Sequence, residues 1–567
     1  MSLPTRSSPR EDSLATLIRQ SAMAAVPRVV AMQSWAPRSR AHGSFDREYW
    51  SYRMSRGFRS ATWQQAAVGL QHVASLATTD AERTYLRDRA RAGVEYWLRE
   101  CAHRGAVDEW YRHERSYCAT AFGLQGVCEY LRSQDSDGRV DVLTEHGDTI
   151  DAVATWLLAR WNGTAANQNV ASGTALVSLA NLRGEGANSP LRKPILRVLS
   201  DQQPGGWLRE YGGADFGYSL LCLDLLAVSA RDGCETSLSV AARLLGFLRN
   251  FASRTGDLPW FLGSRATAHA ACAGLGYFAR KLDDARLILT CLAQEPQRVV
   301  SRMTAYDDRY FAYFGFPALA RAAAWGTGAS VDDRASDDPN RRDLRMLKVD
   351  GFEVRRVGSR RLVVADRGKS LAIETRDGSY AHQLGYECHV GRKMVGSHAG
   401  SGSASDLGHR MVRISEFRPL EKWGLVVHSV LPLARWGWAS QLIGTFAKTR
   451  LGRPRRRSRV LLQRTIHVEE TRFRVDDVIS RSPLTRIARL TEARAVPWHS
   501  PSAMGPTHHG EFVVAPLGGA EGDVTSQISW VYDTNTDSVH HLLISNDQAH
   551  ERHAAARSYR DRHPDTG

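Results

Sequence analysis

The sequence predicts an α+β multidomain protein in which helical hairpins come first and an antiparallel β-sandwich follows. From about Ser60 to Trp325, apolar residues recur three and four positions apart, which is typical of helices that bury one face. After about residue 346, apolar and polar residues alternate in short segments, which is typical of half-buried strands. With 567 residues the chain is too long for one compact core, so we expect two large domains.

The amino-acid composition changes along the chain and predicts where one segment ends and the next begins. The first residues are rich in Arg, Ser and Pro, and the stretch SVDDRASDDPNRRD is polar and charged, as expected for a linker. We therefore predict five segments: a loosely ordered basic arm over 1–44 with a short helix around Ser13 to Met32, a helical domain over 45–328, a linker over 329–345, a β-sandwich over 346–547 and a disordered tail over 548–567.

The helical segments follow one another through short loops, without an exact repeat. Antiparallel helical hairpins of this kind close into a ring or stack into a solenoid, and the pattern leaves both open. Clear examples are residues 62–77, 81–102, 117–133, 148–161, 169–184, 237–253 and 316–326.

The strand segments combine alternation with β-branched residues and flanking turn residues. Many short strands at close spacing indicate a sandwich of two sheets. The segments read FEVRRV, RLVVADR, SLAIETRD, YECHVGRKMVGSH, WGLVVHSVLPLA, RVLLQRTIHVEETRFRVDDVIS and SQISWVYD.

The net charge and the hydropathy of the chain limit the kinds of partner that it can bind. The formal net charge is +15, which favours an anionic partner such as nucleic acid, an anionic polysaccharide or a membrane surface. No nucleic-acid-binding motif accompanies the densest basic run, RPRRRSR, which we interpret as a solvated loop. The sequence has no signal segment and no run of about 18 apolar residues, so we expect a cytoplasmic protein without stable membrane insertion.

Cysteines and histidines give no sign of a disulfide framework or a metal site. The eight cysteines have no paired spacing and mostly lie in apolar helical surroundings, so we expect free, buried thiols. His382, His389 and His398 fit no zinc motif, and we predict neither a metal nor a cofactor.

The stretch EYGGADFGYSLLCLDLLAVSA, Glu210–Ala230, carries more polar chemistry than a helix start needs. Tyr211, Asp215 and Tyr218 stand among three glycines before an apolar helix, where one capping residue would suffice. Arg209 and Trp207 come directly before it, and indoles beside Gly and Arg often line sugar sites. We therefore expect this segment to form part of a binding cleft.

Other segments offer complementary groups. AANQNVASGTAL places the amides of Asn167 and Gln168 near the positive end of a helix. GSRATAH places Arg265, which suits bidentate carboxylate binding, close to His269, and Trp260 precedes them. The segment DEWYRHERSY at 108–117 either lines the cleft or forms a solvated, ion-paired helix entry.

Together these segments resemble the heparinase II/III-like proteins, and more narrowly the bacterial branch found with exopolysaccharide genes. The resemblance extends over most of the chain. The matching text is GSFDREYWSYR, AANQNVASGTAL, WLREYGGADFGYSLLCLDLL, GDLPWFLGSRATAH, DDRYFAYFGFPAL and GKSLAIETRDGSYAHQLGYECHVGRKMVGSHAG. The family consists of polysaccharide lyases with an incomplete α/α toroid and a C-terminal antiparallel sandwich.

The resemblance implies β-elimination on a polysaccharide that contains uronic acid. Such a site neutralises the sugar carboxylate and moves protons at the breaking bonds. Tyr218 matches the catalytic phenol, Tyr211 is the second choice, and Asn167 matches the amide that grips the carboxylate. Further catalytic candidates are His269 and, from the sandwich, His382. The implied substrate-binding residues are Arg265, Gln168, Arg209, Glu210, Asp215, Trp207, Trp260 and His398.

Two other functions stay open. Gln168 stands where the family commonly has a histidine, and AHAACAGL after Arg265 lacks the family's polar residues, which favours a catalytically decayed glycan-binding or biosynthesis protein. Glu210, Asp215 and Asp224 favour instead a toroid glycoside hydrolase that uses two carboxylates. In each case we expect an acidic polysaccharide or oligosaccharide as the partner.

Overall fold

In the computed structural model the described residues are 9–53, 57–326, 346–349, 351–365, 370–390, 393–397, 402–407, 410–416, 418–419, 438–439, 442, 460–481, 487–493, 509–510, 524–533, 535–536 and 538–545. Within them, a helical part is followed by a part built from antiparallel strands. This order confirms the predicted α+β multidomain class.

The helical part consists of α-helices joined by short turns. The α-helices are α1 Pro9–Met32, α2 Ala66–Ala74, α3 Asp80–Tyr96, α4 Tyr117–Arg132, α5 Ser136–Leu158, α6 Ala166–Leu182, α7 Lys193–Asp201, α8 Phe216–Arg231, α9 Glu235–Arg249, α10 Ala273–Phe278, α11 Asp283–Leu292, α12 Pro296–Thr304, α13 Asp308–Tyr310 and α14 Phe316–Trp325. Turns of 3₁₀ type cover Thr62–Gln65, Pro190–Arg192 and Trp260–Leu262, and π-helical turns cover Glu48–Arg53, Trp97–Cys101 and Phe311–Gly315.

Alternate helices form a closed inner ring. Helix α2 packs on α4, α4 on α6, α6 on α8, α8 on α10, α10 on α14, and α14 returns to α2. Nearly every residue of α6 and α8 is buried, whereas α5, which packs on α4, buries one face only. The closure of α14 on α2 identifies a ring rather than a solenoid.

The N-terminal arm is more ordered than predicted. Its helix α1 extends over Pro9–Met32 and packs against α14 and α12. Leu14, Ile18 and Val29 on α1 are buried in the core of the helical part. The basic composition of this segment concealed an apolar face that covers the outside of the ring.

Contacts join the first turns of the inner helices at one end, which we call the N-terminal end of the ring. The thiol of Cys118 on α4 lies 3.2 Å from the hydroxyl of Tyr313, just before α14. The backbone N–H of Asn167 on α6 donates to Glu210, just before α8, at 2.5 Å. The sequence-predicted site residues of α6 and α8 are therefore neighbours in space.

A buried group of charges joins the inner helices nearer their other ends. Arg321 of α14 donates to both carboxylate oxygens of Glu129 of α4, at 2.9 and 2.8 Å. Glu129 also lies 2.7 Å from Nε2 of His72 on α2, and Arg321 lies 3.6 Å from Asp224 on α8. Four of the six inner helices thus share one ionic cluster, which we call the ring cluster.

The strand part forms three antiparallel sheets. The strands are β1 Met346–Val349, β2 Phe352–Val357, β3 Arg360–Ala365, β4 Leu371–Glu374, β5 Tyr380–Gln383, β6 Tyr386–Val390, β7 Lys393–Gly396, β8 Gly402–Leu407, β9 Arg410–Glu416, β10 Arg418–Pro419, β11 Val460–Val468, β12 Arg472–Arg481, β13 Ile487–Ala493, β14 His509–Gly510, β15 Val524–Asp533 and β16 Ser538–Ser545. The strand orders are β1-β2-β3-β4-β5, β10-β7-β6-β13-β14 and β16-β15-β12-β11-β9-β8.

The first sheet is buried on both faces. Val363 on β3 and Ala372 on β4 belong to the core of the helical part, whereas Leu362 and Ile373 on the same strands belong to a second core shared with the other two sheets. This alternation follows from the two-residue period of a strand. A third layer of sheet therefore lies where the sequence predicted a simple two-sheet sandwich.

Specific contacts fix the first sheet to the helical part. The rings of Phe352 on β2 and Phe216 at the start of α8 are 5.6 Å apart. The backbone N–H of Tyr380 donates to Asp257 at 3.0 Å, and its hydroxyl donates to the carbonyl of Phe251 at 2.8 Å. Because Phe216 is two residues before Tyr218, this attachment lies beside the N-terminal end of the ring.

Two further findings concern cysteines and membrane spans. All eight cysteines are free, and all except the half-buried Cys118 are buried. Among the described helices, none has both the length and the apolar character needed to cross a bilayer.

The ring cluster yields a stability prediction. Changing Arg321 to Met leaves the carboxylates of Glu129 and Asp224 buried without their cation, so we expect the free energy of unfolding to fall by about 3–5 kcal/mol. Urea unfolding at neutral pH measures this change. The control is Arg286→Ala, which removes an exposed ion pair with Asp283 and should cost less than about 1 kcal/mol. Equal effects of the two changes would contradict a structural role for the ring cluster.

Candidate active site

The segment from Glu210 to Gly213 is a tight turn at the N-terminal end of the ring. The backbone N–H of Glu210 donates to the carbonyl of Gly213 at 2.7 Å. Tyr211 has a φ of 49° and Gly212 a φ of 92°, in the region that favours glycine. Tyr211 is 46% exposed, so about half of its side chain surface faces solvent.

Asp215 organises the start of α8. Its carboxylate accepts the backbone N–H groups of Tyr218 and Arg265, both at 3.0 Å, and of Thr267 at 3.3 Å. The side chain is fully buried, and burial raises its pKa. Asp215 was predicted to bind substrate; the structure places it instead behind the site, where it fastens the 265–267 segment to the helix start.

Glycine is required where α8 meets this segment. A Cβ added at Gly217 would lie 2.5 Å from the carbonyl oxygen of Thr267 and 2.9 Å from the backbone nitrogen of His269. These distances are far shorter than van der Waals contact, so a side chain would push the two segments apart. Gly217 thus brings Tyr218 close to the segment that carries Arg265.

Asn167 and Glu210 form a buried pair. The backbone N–H of Asn167 donates to Glu210 Oε1 at 2.5 Å, and its amide Nδ2 donates to Oε2 at 2.8 Å. Burial raises the pKa of Glu210 to about 8, against the lowering effect of both Asn167 bonds. Asn167 was predicted to grip a sugar carboxylate, and here one of the two N–H groups of its amide donates to a carboxyl group of the protein.

Arg265 acts on both tyrosines of the stretch Glu210–Ala230, which are Tyr211 and Tyr218. Its guanidinium carbon lies 4.2 Å from the ring centroid of Tyr211. Burial raises the pKa of Tyr211 to about 12 and that of Tyr218 well above its usual value, and in both cases the charge of Arg265 opposes the shift. Tyr218 is 9% exposed, so the phenol is largely but not completely removed from solvent.

Several predicted binding residues lie outside this group. Gln168 accepts a hydrogen bond from the Asn162 amide at 2.6 Å, and the exposed Arg209 donates to Gln203 at 3.4 Å. Trp207 is buried in the helical core. Trp260 is 1% exposed and its indole donates to Asp257 at 2.6 Å. Neither indole offers an exposed face for a sugar, because both fill the core.

His269 is buried behind Tyr218. Its Nδ1 lies 2.5 Å from the hydroxyl of Tyr306, which donates to the carbonyl of Arg302 at 2.7 Å, so Nδ1 carries the proton and donates. Burial lowers the pKa of His269 to about 4. The neutral ring therefore supports the segment after Arg265 from its inner side.

Two predicted site histidines belong to the strand part, and one of them lies within the described residues. His382 on β5 lies against the ring of Phe261, with centroids 5.1 Å apart, and burial lowers its pKa to about 4. It belongs to the interface around Asp257 and Arg302. His398 lies outside the described residues. Among the described residues, no group of three or more His, Cys, Asp or Glu side chains could hold a metal ion.

One of the three carboxylates predicted for hydrolysis, Asp224, belongs to a different group of residues from the other two. Asp224 accepts the backbone N–H of Gly274 at 2.7 Å and belongs to the ring cluster, and burial raises its pKa to about 6. Asp215 is committed to backbone N–H groups. Glu210 and Asp215 both act on Tyr218, but of these two only Glu210 has a carboxylate that is not used to accept the backbone N–H groups of the 265–267 segment.

Sequence reasoning did not single out Glu109, although it left open that the segment of this residue, DEWYRHERSY, lines the cleft. The charges of Glu109 and Glu210 both act on the Tyr211 phenol, as does the Cys118 thiol. Glu109 is buried, accepts the Ser116 hydroxyl at 2.7 Å and also acts on Tyr313. Glu109 belongs to DEWYRHERSY, whose many charges indicated a solvated helix entry, although a burial signal was present in its aromatic residues.

Comparisons with known proteins find structural neighbours only. No known family and no curated protein matches the sequence. An X-ray structure of chondroitin AC lyase from Streptomyces coelicolor A3 with chondroitin sulphate has a TM-score of 0.46 and 12% identity, over 87% of this chain and 69% of that one. A tyrosine-to-alanine variant of that enzyme has a TM-score of 0.41 and 12% identity over the same shares. Another polysaccharide lyase has a TM-score of 0.33 and 10% identity, over 55% of this chain and 97% of that one. These values are too low to transfer an activity or a residue role.

The pKa of Glu210 yields a prediction on stability. Because the folded pKa of about 8 lies above the unfolded value of 4.5, its contribution to the free energy of unfolding is complete below pH 4.5 and is lost as pH rises toward 8. Gln cannot ionise. The free energy of unfolding of Glu210→Gln should therefore rise relative to that of the wild type by about 1.4 kcal/mol for each pH unit between 4.5 and 8. Urea unfolding at several pH values measures the difference.

The control for that experiment is Glu235→Gln, at the exposed first residue of α9. Its unfolding profile against pH should run parallel to that of the wild type. A parallel profile for Glu210→Gln as well would show that Glu210 ionises normally and would contradict the buried environment described here.

Proposed function

We propose that the protein is a polysaccharide lyase that cleaves an acidic, uronic-acid-containing exopolysaccharide by β-elimination. The observation that carries the proposal is the convergence of Tyr218, Tyr211 and Arg265 at the N-terminal end of the ring, beside the Asn167–Glu210 pair. The sequence resemblance supports it independently, because the same tyrosine and arginine lie in the segments that match.

β-Elimination needs a cation, a base and an acid. The C5–H bond and the C4–O4 bond of the sugar break, the C4=C5 double bond forms, and the proton ends on the departing O4; no water is consumed. Removal of the C5 proton builds negative charge beside the carboxylate, so a bound cation must offset it. Arg265 supplies a planar guanidinium suited to a carboxylate.

Tyr218 is the proposed proton-transfer residue. A phenolate accepts the C5 proton and the resulting phenol donates a proton to O4. In the free protein burial holds Tyr218 as the phenol, so its proton must pass to solvent before the step, and the charge of Arg265 favours this loss. We assign the sugar carboxylate to Arg265 rather than to Asn167, because Glu210 takes one N–H of the Asn167 amide and a cation offsets the growing negative charge better than a neutral amide does. Asn167 and Glu210 then hold the turn that carries Tyr211.

One observation favours glycoside hydrolysis as a second candidate. With a pKa of about 8, Glu210 is mostly protonated at neutral pH, as the general acid of a glycosidase is. The products separate the two reactions. A lyase leaves an unsaturated uronic residue that absorbs in the ultraviolet, whereas a hydrolase makes a saturated reducing end.

The central prediction concerns Tyr218. Changing it to Phe removes the proton-transferring hydroxyl but keeps the ring, so we expect kcat on an acidic polysaccharide to fall roughly 100-fold or more. Alginate and chondroitin sulphate serve as test substrates, and ultraviolet absorbance of unsaturated products is the readout. The thermal unfolding midpoint should stay close to that of the wild type.

Tyr211→Phe is the matched control, since it removes a phenolic hydroxyl from the exposed neighbour. It should retain most of kcat. An active Tyr218→Phe variant would remove Tyr218 from the proposal. New reducing ends without unsaturated product would favour the hydrolase, and binding without any cleavage by the wild type would favour the decayed glycan-binding protein.

A further inference from the structure

An exposed tryptophan next to the site carries a stacked arginine. The guanidinium carbon of Arg309, on α13, lies 3.8 Å from the ring centroid of Trp110. Trp110 is 51% exposed, so the stacked arginine leaves much of the indole open to solvent. One N–H of Arg309 donates to the carbonyl of Glu109 at 3.2 Å. A guanidinium has five N–H donors, so stacking and this bond leave donors along its edge.

The loop that carries Trp110 is rigid. The Glu114 carboxylate accepts the backbone N–H groups of Glu109 at 3.0 Å and of Trp110 at 2.6 Å. The Asp108 carboxylate accepts those of His113 at 2.7 Å and Arg115 at 3.0 Å. An exposed aromatic ring on a fixed backbone loses little conformational entropy when a ligand binds, which favours recognition.

This loop adjoins the proposed catalytic groups. Glu109, the residue before Trp110, acts electrostatically on Tyr211, Cys118 and Tyr313. Arg309 lies at the entry to α14, four residues before Tyr313. Trp110 and Arg309 therefore lie on the rim of the same N-terminal end of the ring.

The Trp110–Arg309 pair repeats the construction of the Tyr211–Arg265 pair. Each combines a half-exposed aromatic ring with a guanidinium stacked about 4 Å away, at 3.8 and 4.2 Å. An aromatic face suits the C–H face of a sugar, and the edge of a guanidinium suits a carboxylate or sulphate group. Two such pairs on one rim match a polymer that repeats an acidic sugar.

We infer that Trp110 and Arg309 form a second subsite, which binds another acidic sugar of the chain held at Tyr218. This inference rests on the proposed function for the identity of the first subsite. It names the substrate class as an acidic polymer rather than a monosaccharide, because a single sugar occupies one subsite and cannot use both pairs.

The test measures binding with turnover blocked. In the Tyr218→Phe background, calorimetry with alginate, chondroitin sulphate and neutral dextran compares Trp110→Ala and Arg309→Gln with the unaltered background. We expect each change to weaken binding of an acidic polymer by about 10-fold. Arg309→Gln should also reduce the salt dependence of binding, because it removes a charge contact.

A second arginine–tryptophan pair provides the matched control. Arg89 lies 4.0 Å from the ring centroid of Trp35, which is 41% exposed, on a different part of the helical surface. Trp35→Ala and Arg89→Gln should leave binding within about twofold of the background. The thermal unfolding midpoints of all four variants show whether a loss of binding reflects a loss of folding.

The outcomes separate this inference from the proposed function. Three outcomes would overturn the second subsite. Trp110→Ala could bind as tightly as its background, Trp35→Ala could lose as much affinity as Trp110→Ala, or neither acidic polymer could bind. Weakened binding by Trp110→Ala, together with no cleavage of either acidic polymer by the wild type, would uphold the subsite and overturn the lyase. Binding of dextran as tight as that of alginate would overturn the assignment to acidic sugars.

Discussion

The buried carboxylate of Asp215 is the constraint on which the site depends. It caps α8 through the backbone N–H of Tyr218 and at the same time accepts the backbone N–H groups of Arg265 and Thr267. The backbones of Tyr218 and Arg265, which are 47 residues apart in the sequence, are thereby fixed to one carboxylate. Gly217 permits the close approach that this arrangement requires, because any Cβ would meet the backbone of the 267–269 segment.

The ring places this constraint where a ligand can reach it. Closure of α14 on α2 gathers the first turns of the inner helices at one end, and the ring cluster around Arg321 joins four of these helices nearer their other ends. The first sheet attaches beside the site through Phe216 and Phe352. Burial of that sheet on both faces explains the continuous apolar runs at 362–365 on β3 and 371–373 on β4, since neither face there remains for water.

Helices, strands and their order could be predicted from periodicity, because helix and strand burial leave different repeats in a sequence. Closure of the ring could not, because it depends on contacts between α2 and α14, which are far apart in the chain. Tyr218 was predicted from the family resemblance and Arg265 from its place in GSRATAH, and both stay predictions. Glu109 and Tyr313 were missed, since a buried acid and a core aromatic look like ordinary residues until the fold brings them together. Trp260 was misjudged because an indole beside Gly and Arg fits a core as well as a cleft.

Charge balance connects the acids of the site with its proposed substrate. Glu109 and Glu210 are buried near Tyr211, and burial raises the pKa of both. A sugar carboxylate held at Arg265 would add a negative charge beside Glu210 and so favour its protonated form further. By linkage, the protonated form of Glu210 in turn favours binding of the acidic sugar. Glu210 can thus accommodate an anionic substrate as a neutral group, while the guanidinium of Arg265 contacts the sugar carboxylate.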